Sequence, residues 1–158
     1  MASTGTNGFM ARGGPWVLLQ NALTLALVIA GPLGRDADWH GGWRIPAAAL
    51  LALAALLGIG GAWAMGRHLS PYPYSTRPTG LIQTGVYAWV RHPLYGCLMT
   101  FGFGWAISWS SGCAIALAVA HTLALLGKAN AEEAWLHQRF PDYSGYAART
   151  KRFIPGLW

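Results

Sequence analysis

The run of residues 45–65 constrains this chain most, because it contains no charged side chain and is long enough to cross a hydrocarbon core about 30 Å thick. A run of this length is typical of a transmembrane helix. The composition of the whole chain also suits a lipid bilayer, since 54% of its residues are apolar and only 10% are charged. Soluble domains carry about 25% charged residues. We therefore predict an all-α integral membrane protein.

Three further apolar stretches raise the expected number of transmembrane helices to about four. Residues 15–33 form the first span in chain order, ahead of residues 45–65 as the second, and begin with a proline that suits the first turn of a helix. A signal peptide preceded by Arg12 is the alternative, but the cleavage pattern after this stretch is poor. Residues 94–109 and 113–126 are shorter, and the polar residues 110–112 between them predict a helical hairpin whose outer ends continue about one turn further.

The distribution of cations predicts the orientation and organisation of the chain. Lys and Arg cluster between the second and third spans and after the fourth, and such clusters mark the cytoplasmic face. These cations are Arg67, Arg77, Arg91, Lys128, Arg139, Arg149, Lys151 and Arg152. We predict one membrane-embedded domain over residues 1–158. It comprises two N-terminal spans in residues 15–66 and a core in residues 67–158 that ends in a cytoplasmic helical tail, with the loop 34–42 on the opposite face.

Several classes of function lack support in this sequence. The formal net charge of +6 fits membrane orientation and contact with anionic lipid, and no groove-reading motif accompanies it, so we expect no nucleic-acid partner. The five histidines and two cysteines have no metal-ligand spacing, and we expect no metal site. Phosphate-binding loops, dinucleotide fingerprints and nucleophile elbows are absent as well.

Small residues recur at every fourth position of the third predicted span, at Gly96, Thr100, Gly104 and Ser108. Such a stripe lets two helix backbones approach closely. We interpret it as a packing face rather than as a ligand groove.

The polar segments 67–92 and 128–158 are expected to meet, because the hairpin returns the chain to the same face of the membrane. A pocket between them follows from this topology. Pro93 fits the first turn of the third span, so His92 lies near a helix start, where free N–H groups favour an anion. Glu132 and Glu133 follow the fourth span. Ionisable groups near the membrane core are functional candidates, although a solvated helix end accounts for this pair equally well.

A family resemblance sharpens this interpretation. Residues 85–95, which include Arg-His-Pro-Leu-Tyr, closely resemble the isoprenylcysteine carboxyl methyltransferases, as do the Glu-Glu-Ala-Trp-Leu run at 132–136 and residues 143–155. Phospholipid N-methyltransferases share the Arg-His-Pro-x-Tyr and Glu-Glu elements. The resemblance covers roughly residues 66–155. It implies an enzyme that uses S-adenosylmethionine, bound on the cytosolic face, and makes residues 67–158 a catalytic core with a cofactor-binding loop.

The resemblance also implies roles for individual residues. Glu132 matches the acid that receives the amino group of the cofactor, and we expect Glu132 and Lys128 to act in catalysis. Lys128 stands where those enzymes carry an arginine linked to substrate handling, and a lysine lacks the planar fork for bidentate carboxylate recognition. The residues expected to line the cofactor are Leu81, Ile82, Tyr87, His92, Pro93, Tyr95 and Glu132.

The resemblance predicts a multi-pass membrane methyltransferase whose active site faces the cytoplasm. Its expected substrate is a lipophilic molecule or lipid, with a carboxylate acceptor as in isoprenylcysteine carboxyl methylation. Phospholipid amine N-methylation is one alternative. A second is an NADPH-dependent reductase of the sterol-reductase type, which carries a similar Arg-His-Pro-x-Tyr run, and a third is a non-catalytic membrane protein. The oligomeric state is left open.

Overall fold

A computed structural model of the chain describes residues 4–36, 41–74 and 80–153, with backbone alone for residues 4–7 and 41. Part of the predicted loop 34–42, the cation Arg77 and the end of the predicted tail lie outside these ranges. Within them the fold is helical, as the composition predicted. The α-helices are α1 (Thr4–Ala11), α2 (Gly14–Leu33), α3 (Arg44–Met65), α4 (Pro93–Ser108), α5 (Gly112–Arg139) and α6 (Tyr143–Arg149). Short 3-10 turns occupy Gly41–Trp43, Gly66–His68 and Gly85–Ala88.

Three helices of the described chain are long and apolar enough to cross a membrane. They are α2, α3 with its following turn, and α5. The prediction of several membrane helices is therefore confirmed. Helix α4 has 16 residues, which is about 24 Å at 1.5 Å per residue, so a fourth span stays a prediction. The cytoplasmic position of the tail also stays a prediction.

Helix α5 is much longer than its apolar stretch predicted. We expected it to end about a turn after Leu126, but it continues to Arg139. Glu132 and Glu133 therefore lie inside the helix rather than at a frayed end. The extension is stable because both acids find partners on other elements, as described below, while the helix backbone keeps its own hydrogen bonds. Ser111 begins the helix by accepting a hydrogen bond from the backbone N–H of Ala114.

Helices α3 and α4 pack closely through glycines. A Cβ atom built on Gly96 would lie 3.3 Å from Leu57, and one on Gly104 would lie 3.0 Å from Leu51. Gly96 and Gly104 of the stripe thus face α3 of the same chain, and the predicted packing role is confirmed for these two residues, whereas Ser108 is exposed. Without side chains at these two positions the helix backbones can approach each other.

Helix α2 lies against α4 and α5 at the hairpin. The indole N–H of Trp105 donates to the carbonyl of Val28 at 3.2 Å, and the Ser111 hydroxyl donates to the carbonyl of Ala30 at 3.0 Å. The outward faces of α2 and α3 carry large exposed apolar side chains, as expected for contact with lipid. These include Leu18, Leu25, Leu33, Ile45, Leu56, Ile59 and Trp63.

Candidate active site

Two of the three segments that carry the recognised motifs, residues 85–95 and residues 143–155, are held together by backbone hydrogen bonds. The N–H of Arg91 donates to the carbonyl of Lys151 at 2.8 Å, and the N–H of His92 donates to the carbonyl of Arg152 at 3.0 Å. The N–H of Lys151 returns a hydrogen bond to the carbonyl of Trp89 at 3.1 Å. This pairing fixes the chain immediately before α4 against the segment that follows α6.

A cleft opens where α3 ends, α4 begins and α5 approaches its C-terminus. Its empty space, counting the open mouth, is about 970 Å³. Both polar segments that were expected to meet contribute to its wall. The lining residues are Met65, His68, Ser70, Tyr72, Pro73, Gly80, Leu81, Ile82, Tyr87, Arg91, His92, Leu94, Tyr95, Glu132, Trp135, Leu136, Phe140, Tyr143 and Tyr146. The wall is thus largely aromatic and aliphatic, with one carboxylate.

Glu133 is the centre of an ion-pair network behind this wall. Its Oε1 lies 3.1 Å from Arg91 Nε, 2.9 Å from His92 Nε2 and 3.3 Å from Arg152 Nε. Arg91 also donates through Nη1 to the backbone carbonyls of Ala147 and Thr150. The network therefore ties α5 to the start of α4 and to the C-terminal segment. The hydrogen bond from Arg91 Nε is charge-assisted and therefore stronger than a neutral one, whereas the contact with Arg152 Nε is an ion pair without a hydrogen bond.

Glu132 is in a different situation from its neighbour. Its Oε2 accepts a hydrogen bond from the Tyr95 hydroxyl at 2.5 Å and lies 3.9 Å from His92 Nδ1. No described residue donates a hydrogen bond to its Oε1. The side chain is 23% exposed and lines the cleft. Glu132 is thus a carboxylate with acceptor capacity left for a ligand.

An aromatic stack supports both acids. The rings of His92 and Tyr95 are parallel, with centroids 5.2 Å apart and an interplanar angle of 5°. Phe153 contacts the same His92 ring at 5.7 Å. Because Nε2 faces the Glu133 carboxylate, we assign the proton to that nitrogen. His92 then donates to Glu133, and its ring fixes the position of Tyr95.

Three tyrosines close the cleft from the loop before α4 and from α6. Burial raises the pKa of Tyr87 and of Tyr143 well above the ordinary value, and the negative charges of Glu132 and Glu133 respectively add to this effect. Burial also raises the pKa of Tyr146 to about 12, and its hydroxyl donates to the Tyr87 carbonyl at 2.7 Å. The hydroxyl of Tyr143 is buried without a hydrogen-bond partner among the described residues. These three side chains remain neutral near pH 7.

Lys128 lies outside the cleft wall, one turn of α5 before Glu132. Its side chain is buried, with 2% of the residue exposed. The Nζ atom donates to Gln20 Oε1 at 2.7 Å and to the Pro71 carbonyl at 2.9 Å, and it lies 5.0 Å from the centroid of the Tyr95 ring. Direct contact with an acceptor in the cleft would require Lys128 to leave these partners. Its expected catalytic role stays a prediction.

Comparison with known proteins places this site in a family. The sequence model of the phospholipid methyltransferase family matches residues 43–143, which include α3, α4, α5 and both acids. The chain belongs to the phospholipid methyltransferase family. The match supports this broader family and not the isoprenylcysteine enzymes in particular.

Two relatives are named for metal resistance. The cobalt-zinc-cadmium resistance protein CzcN of Cupriavidus metallidurans is 31% identical over 137 residues, which cover 85% of this chain and 62% of that protein. The nickel-cobalt-cadmium resistance protein NccN of Alcaligenes xylosoxydans xylosoxydans is 31% identical over 148 residues, which cover 92% of this chain and 65% of that protein. The chain thus spans less than two thirds of either relative.

The structure brings together most of the residues singled out for the cofactor. Those that line the cleft are Leu81, Ile82, Tyr87, His92, Tyr95 and Glu132. Pro93 does not line it. A Cβ atom built on Gly61 would lie 3.3 Å from the Pro93 ring, so Pro93 packs against α3 and begins α4. The residue-level roles remain predictions for this family member.

Sequence reasoning missed two groups of site residues. Arg91 was seen as part of a motif, but its pairing with Glu133, 42 positions away, leaves no local signal in one sequence. The other group lies on segments without apolar periodicity, which carry no pattern that marks a cleft wall. Its members are Ser70, Tyr72, Pro73 and Phe140. Trp135, Tyr143 and Tyr146 also line the cleft, but they belong to the recognised segments 132–136 and 143–155, within which they were given no cofactor role.

Proposed function

We propose that this chain transfers a methyl group from S-adenosylmethionine to a lipophilic acceptor within the membrane. The observation that carries the proposal is the Glu132 carboxylate, which lines the cleft and of which one oxygen, Oε1, has no hydrogen-bond donor among the described residues. It lies beside the start of α4 in a member of the phospholipid methyltransferase family. A carboxylate with free acceptor capacity is suited to an ammonium group.

The residues present fit the amino-acid portion of this cofactor. Glu132 would bind its ammonium group. The backbone N–H groups of Leu94 and Tyr95 in the first turn of α4 have no acceptor among the described residues and would bind its carboxylate. The aromatic rings of the wall suit a sulfonium, because the faces of such rings attract cations.

For methyl transfer the protein must align the methyl donor with the acceptor, and no covalent nucleophile is needed. When bound, S-adenosylmethionine supplies an activated methyl group for in-line displacement by the acceptor, which leaves S-adenosylhomocysteine. Glu132 and the start of α4 orient the donor, and the aliphatic and aromatic wall excludes water from the reacting atoms. The ion pairs of Glu133 keep these elements in place.

We propose a phospholipid amine as the acceptor: once its ammonium group has released a proton to water, the neutral amine would form the new nitrogen–carbon bond as the sulfur–carbon bond of the donor breaks. The description of the matched family supports this choice. The carboxylate expected from the isoprenylcysteine resemblance is less favoured, because Lys128, the cation assigned to orient it, is occupied outside the cleft. The apolar side chains of Met65, Leu81 and Leu136 in the wall suit a lipid substrate. Entry of the cofactor from the cytoplasm is part of the same proposal.

Methyl transfer to defined vesicles tests the proposal. The purified protein receives S-adenosylmethionine carrying a labelled methyl group and vesicles that contain either phosphatidylethanolamine or a prenylated cysteine carboxylate. We expect label in the phosphatidylethanolamine product, and its loss in Glu132→Gln. Label only in the prenylated cysteine ester would overturn the choice of acceptor. NADPH oxidation with a sterol substrate, without methyl transfer, would move the protein to the reductase class.

The names of the two relatives suggest a physiological setting. We propose that methyl transfer by this chain contributes to tolerance of cobalt and cadmium, the metals common to both names. In a host that depends on the chain for tolerance, Glu132→Gln is expected to abolish growth on these metals while protein levels stay unchanged. Full tolerance with Glu132→Gln would separate metal resistance from methyl transfer.

A further inference from the structure

An irregular segment supplies part of the cleft wall. Residues 69–74, here called the strap, follow the 3-10 turn Gly66–His68 and have neither helix nor strand structure. Three strap side chains, Ser70, Tyr72 and Pro73, line the cleft. A segment without its own regular hydrogen bonds depends on contacts with other elements to keep one position.

The N-terminal helices provide several of these contacts. The Arg12 carbonyl accepts a hydrogen bond from the N–H of Tyr74 at 3.4 Å, and the Arg12 guanidinium lies 4.4 Å from the centroid of the Tyr72 ring. Gly13 has φ of +78°, and a Cβ atom there would lie 2.6 Å from Pro73. The junction between α1 and α2 therefore fits directly against the strap.

Lys128 provides the other attachment. Its ammonium has three hydrogens, and three neighbours surround it: the Gln20 side chain on α2, the Pro71 carbonyl in the strap and the Tyr95 ring. Tyr95 in turn donates to Glu132. One buried cation thus contacts both the strap and the tyrosine that holds the ligand-facing acid.

We propose that Lys128 is a positioning residue that, together with Gln20, holds the strap and Tyr95 in the arrangement that binds the cofactor. Helix α2 thereby completes the site, although it lies outside residues 43–143 that match the family. The cofactor named here rests on the proposed function. The attachment of the strap does not depend on it.

The dependence on Gln20 follows from the burial of the ammonium. A buried cation that loses one acceptor keeps its desolvation cost and must move toward another partner. Loss of the Gln20 oxygen therefore displaces Lys128 from Pro71 and Tyr95, and the displacement reaches the cleft. This predicts that a change on α2, with no atom in the cleft wall, alters ligand affinity.

The test compares Gln20→Leu, Lys128→Met and the double variant with Thr24→Val as the matched control. Thr24 lies one turn further along α2 and is also half-buried, and its Oγ1 is 3.2 Å from His121 Nε2 on α5. Thr24→Val thus removes another polar contact between α2 and α5, together with the hydrogen bond from the hydroxyl to the Gln20 backbone carbonyl at 2.8 Å, but no contact to the strap and none to the Gln20 side chain. Lys128→Arg serves as the conservative variant, since it keeps a cation and several donors.

Two measurements are made on the full-length protein. Hydrogen exchange of residues 69–74 is recorded without ligand, and the dissociation constant of S-adenosylhomocysteine is measured by calorimetry. We expect Gln20→Leu and Lys128→Met each to accelerate exchange in the strap and to weaken binding about tenfold. The double variant should be no worse than Lys128→Met, because both changes break one unit. Thr24→Val should leave both quantities unchanged, and Lys128→Arg should restore most of the affinity.

Several results would overturn the proposal. Normal exchange and affinity in Gln20→Leu, combined with loss of methyl transfer alone in Lys128→Met, would place Lys128 in contact with the acceptor. If Thr24→Val accelerates strap exchange and weakens binding as much as Gln20→Leu does, the Gln20–Lys128 contact contributes only to the general stability of the protein. If the wild type does not bind S-adenosylhomocysteine, the proposed function fails. Hydrogen exchange of the strap in Gln20→Leu still tests whether Gln20 and Lys128 hold the strap. This test does not require Lys128→Met to fold.

Discussion

The carboxylates of Glu132 and Glu133 belong to consecutive residues of one helix but have different partners. Glu133 Oε1 is within 3.3 Å of nitrogen atoms on Arg91, His92 and Arg152, whereas Glu132 accepts a hydrogen bond from Tyr95 alone among the described residues. One acid therefore joins the elements of the site, and the other faces the cleft. This division leads to opposite expectations for substitutions at the two positions.

Glu133→Gln should destabilise the protein more than Glu132→Gln does. The substitution leaves the charges of Arg91 and Arg152 without their counter-charge in a partly buried setting, which we expect to cost about 2 kcal/mol. Thermal unfolding of both variants in detergent, without ligand, measures the difference. A larger loss of stability in Glu132→Gln would contradict the assignment of Glu133 as the structural acid.

Gly104→Leu should destabilise the protein by forcing α3 and α4 apart. A Cβ atom at this position already lies 3.0 Å from Leu51, and further methyl groups force a shift that we expect to cost about 2–3 kcal/mol. Gly112→Ala is the control, since a Cβ atom there meets nothing within 4 Å. Unfolding measurements in detergent compare the two. Equal stability of both variants would show that the helices do not pack as described.

The contribution of Tyr146 to the free energy of unfolding should decrease at alkaline pH. Its pKa is raised from 10.0 to about 12 by burial, so the folded state favours the neutral phenol. This contribution is fully present below pH 10, and it is lost as the pH rises through about 12, because the unfolded chain ionises first. Tyr146→Phe loses the hydrogen bond to the Tyr87 carbonyl, about 1 kcal/mol at pH 8.

The free energy of unfolding of the wild type and of Tyr146→Phe, measured at pH 8 and pH 11, tests this. The wild type should lose more stability between these two values than the variant, so the gap between them narrows. A gap that stays constant across the range would argue against a buried, neutral Tyr146.

The apolar runs predicted the framework because membrane helices are defined by local composition. Residues 15–33 and 45–65 became α2 (Gly14–Leu33) and α3 (Arg44–Met65) with ends displaced by one residue or none. The hairpin turn lies at residues 109–111, one residue before the predicted 110–112. The end of α5 was not predictable in this way. Its last turns are polar, and they remain helical because Glu133 pairs with residues that lie far away in the sequence.

The sequence motifs predicted which of their own residues would lie near one another in the site. His92, Tyr95 and Glu132 share one cleft, because the hairpin returns the chain to the level of its start. The contribution of the N-terminal helices could not be inferred, since Gln20 and Arg12 show only as ordinary polar residues beside an apolar run. Their importance depends on Lys128 and Tyr72, which become neighbours only in the folded protein.

Direct binding of S-adenosylhomocysteine to the detergent-purified protein, measured by calorimetry for the wild type and for Glu132→Gln, tests the central claim. We predict binding to the wild type and an affinity about 10- to 100-fold lower for Glu132→Gln, because a charge-assisted hydrogen bond to the ammonium group of the ligand is lost. Unfolding of the unliganded variant should match that of the wild type. Equal affinities, or no binding to either protein, would contradict the assignment of this cleft as a methyl-donor site.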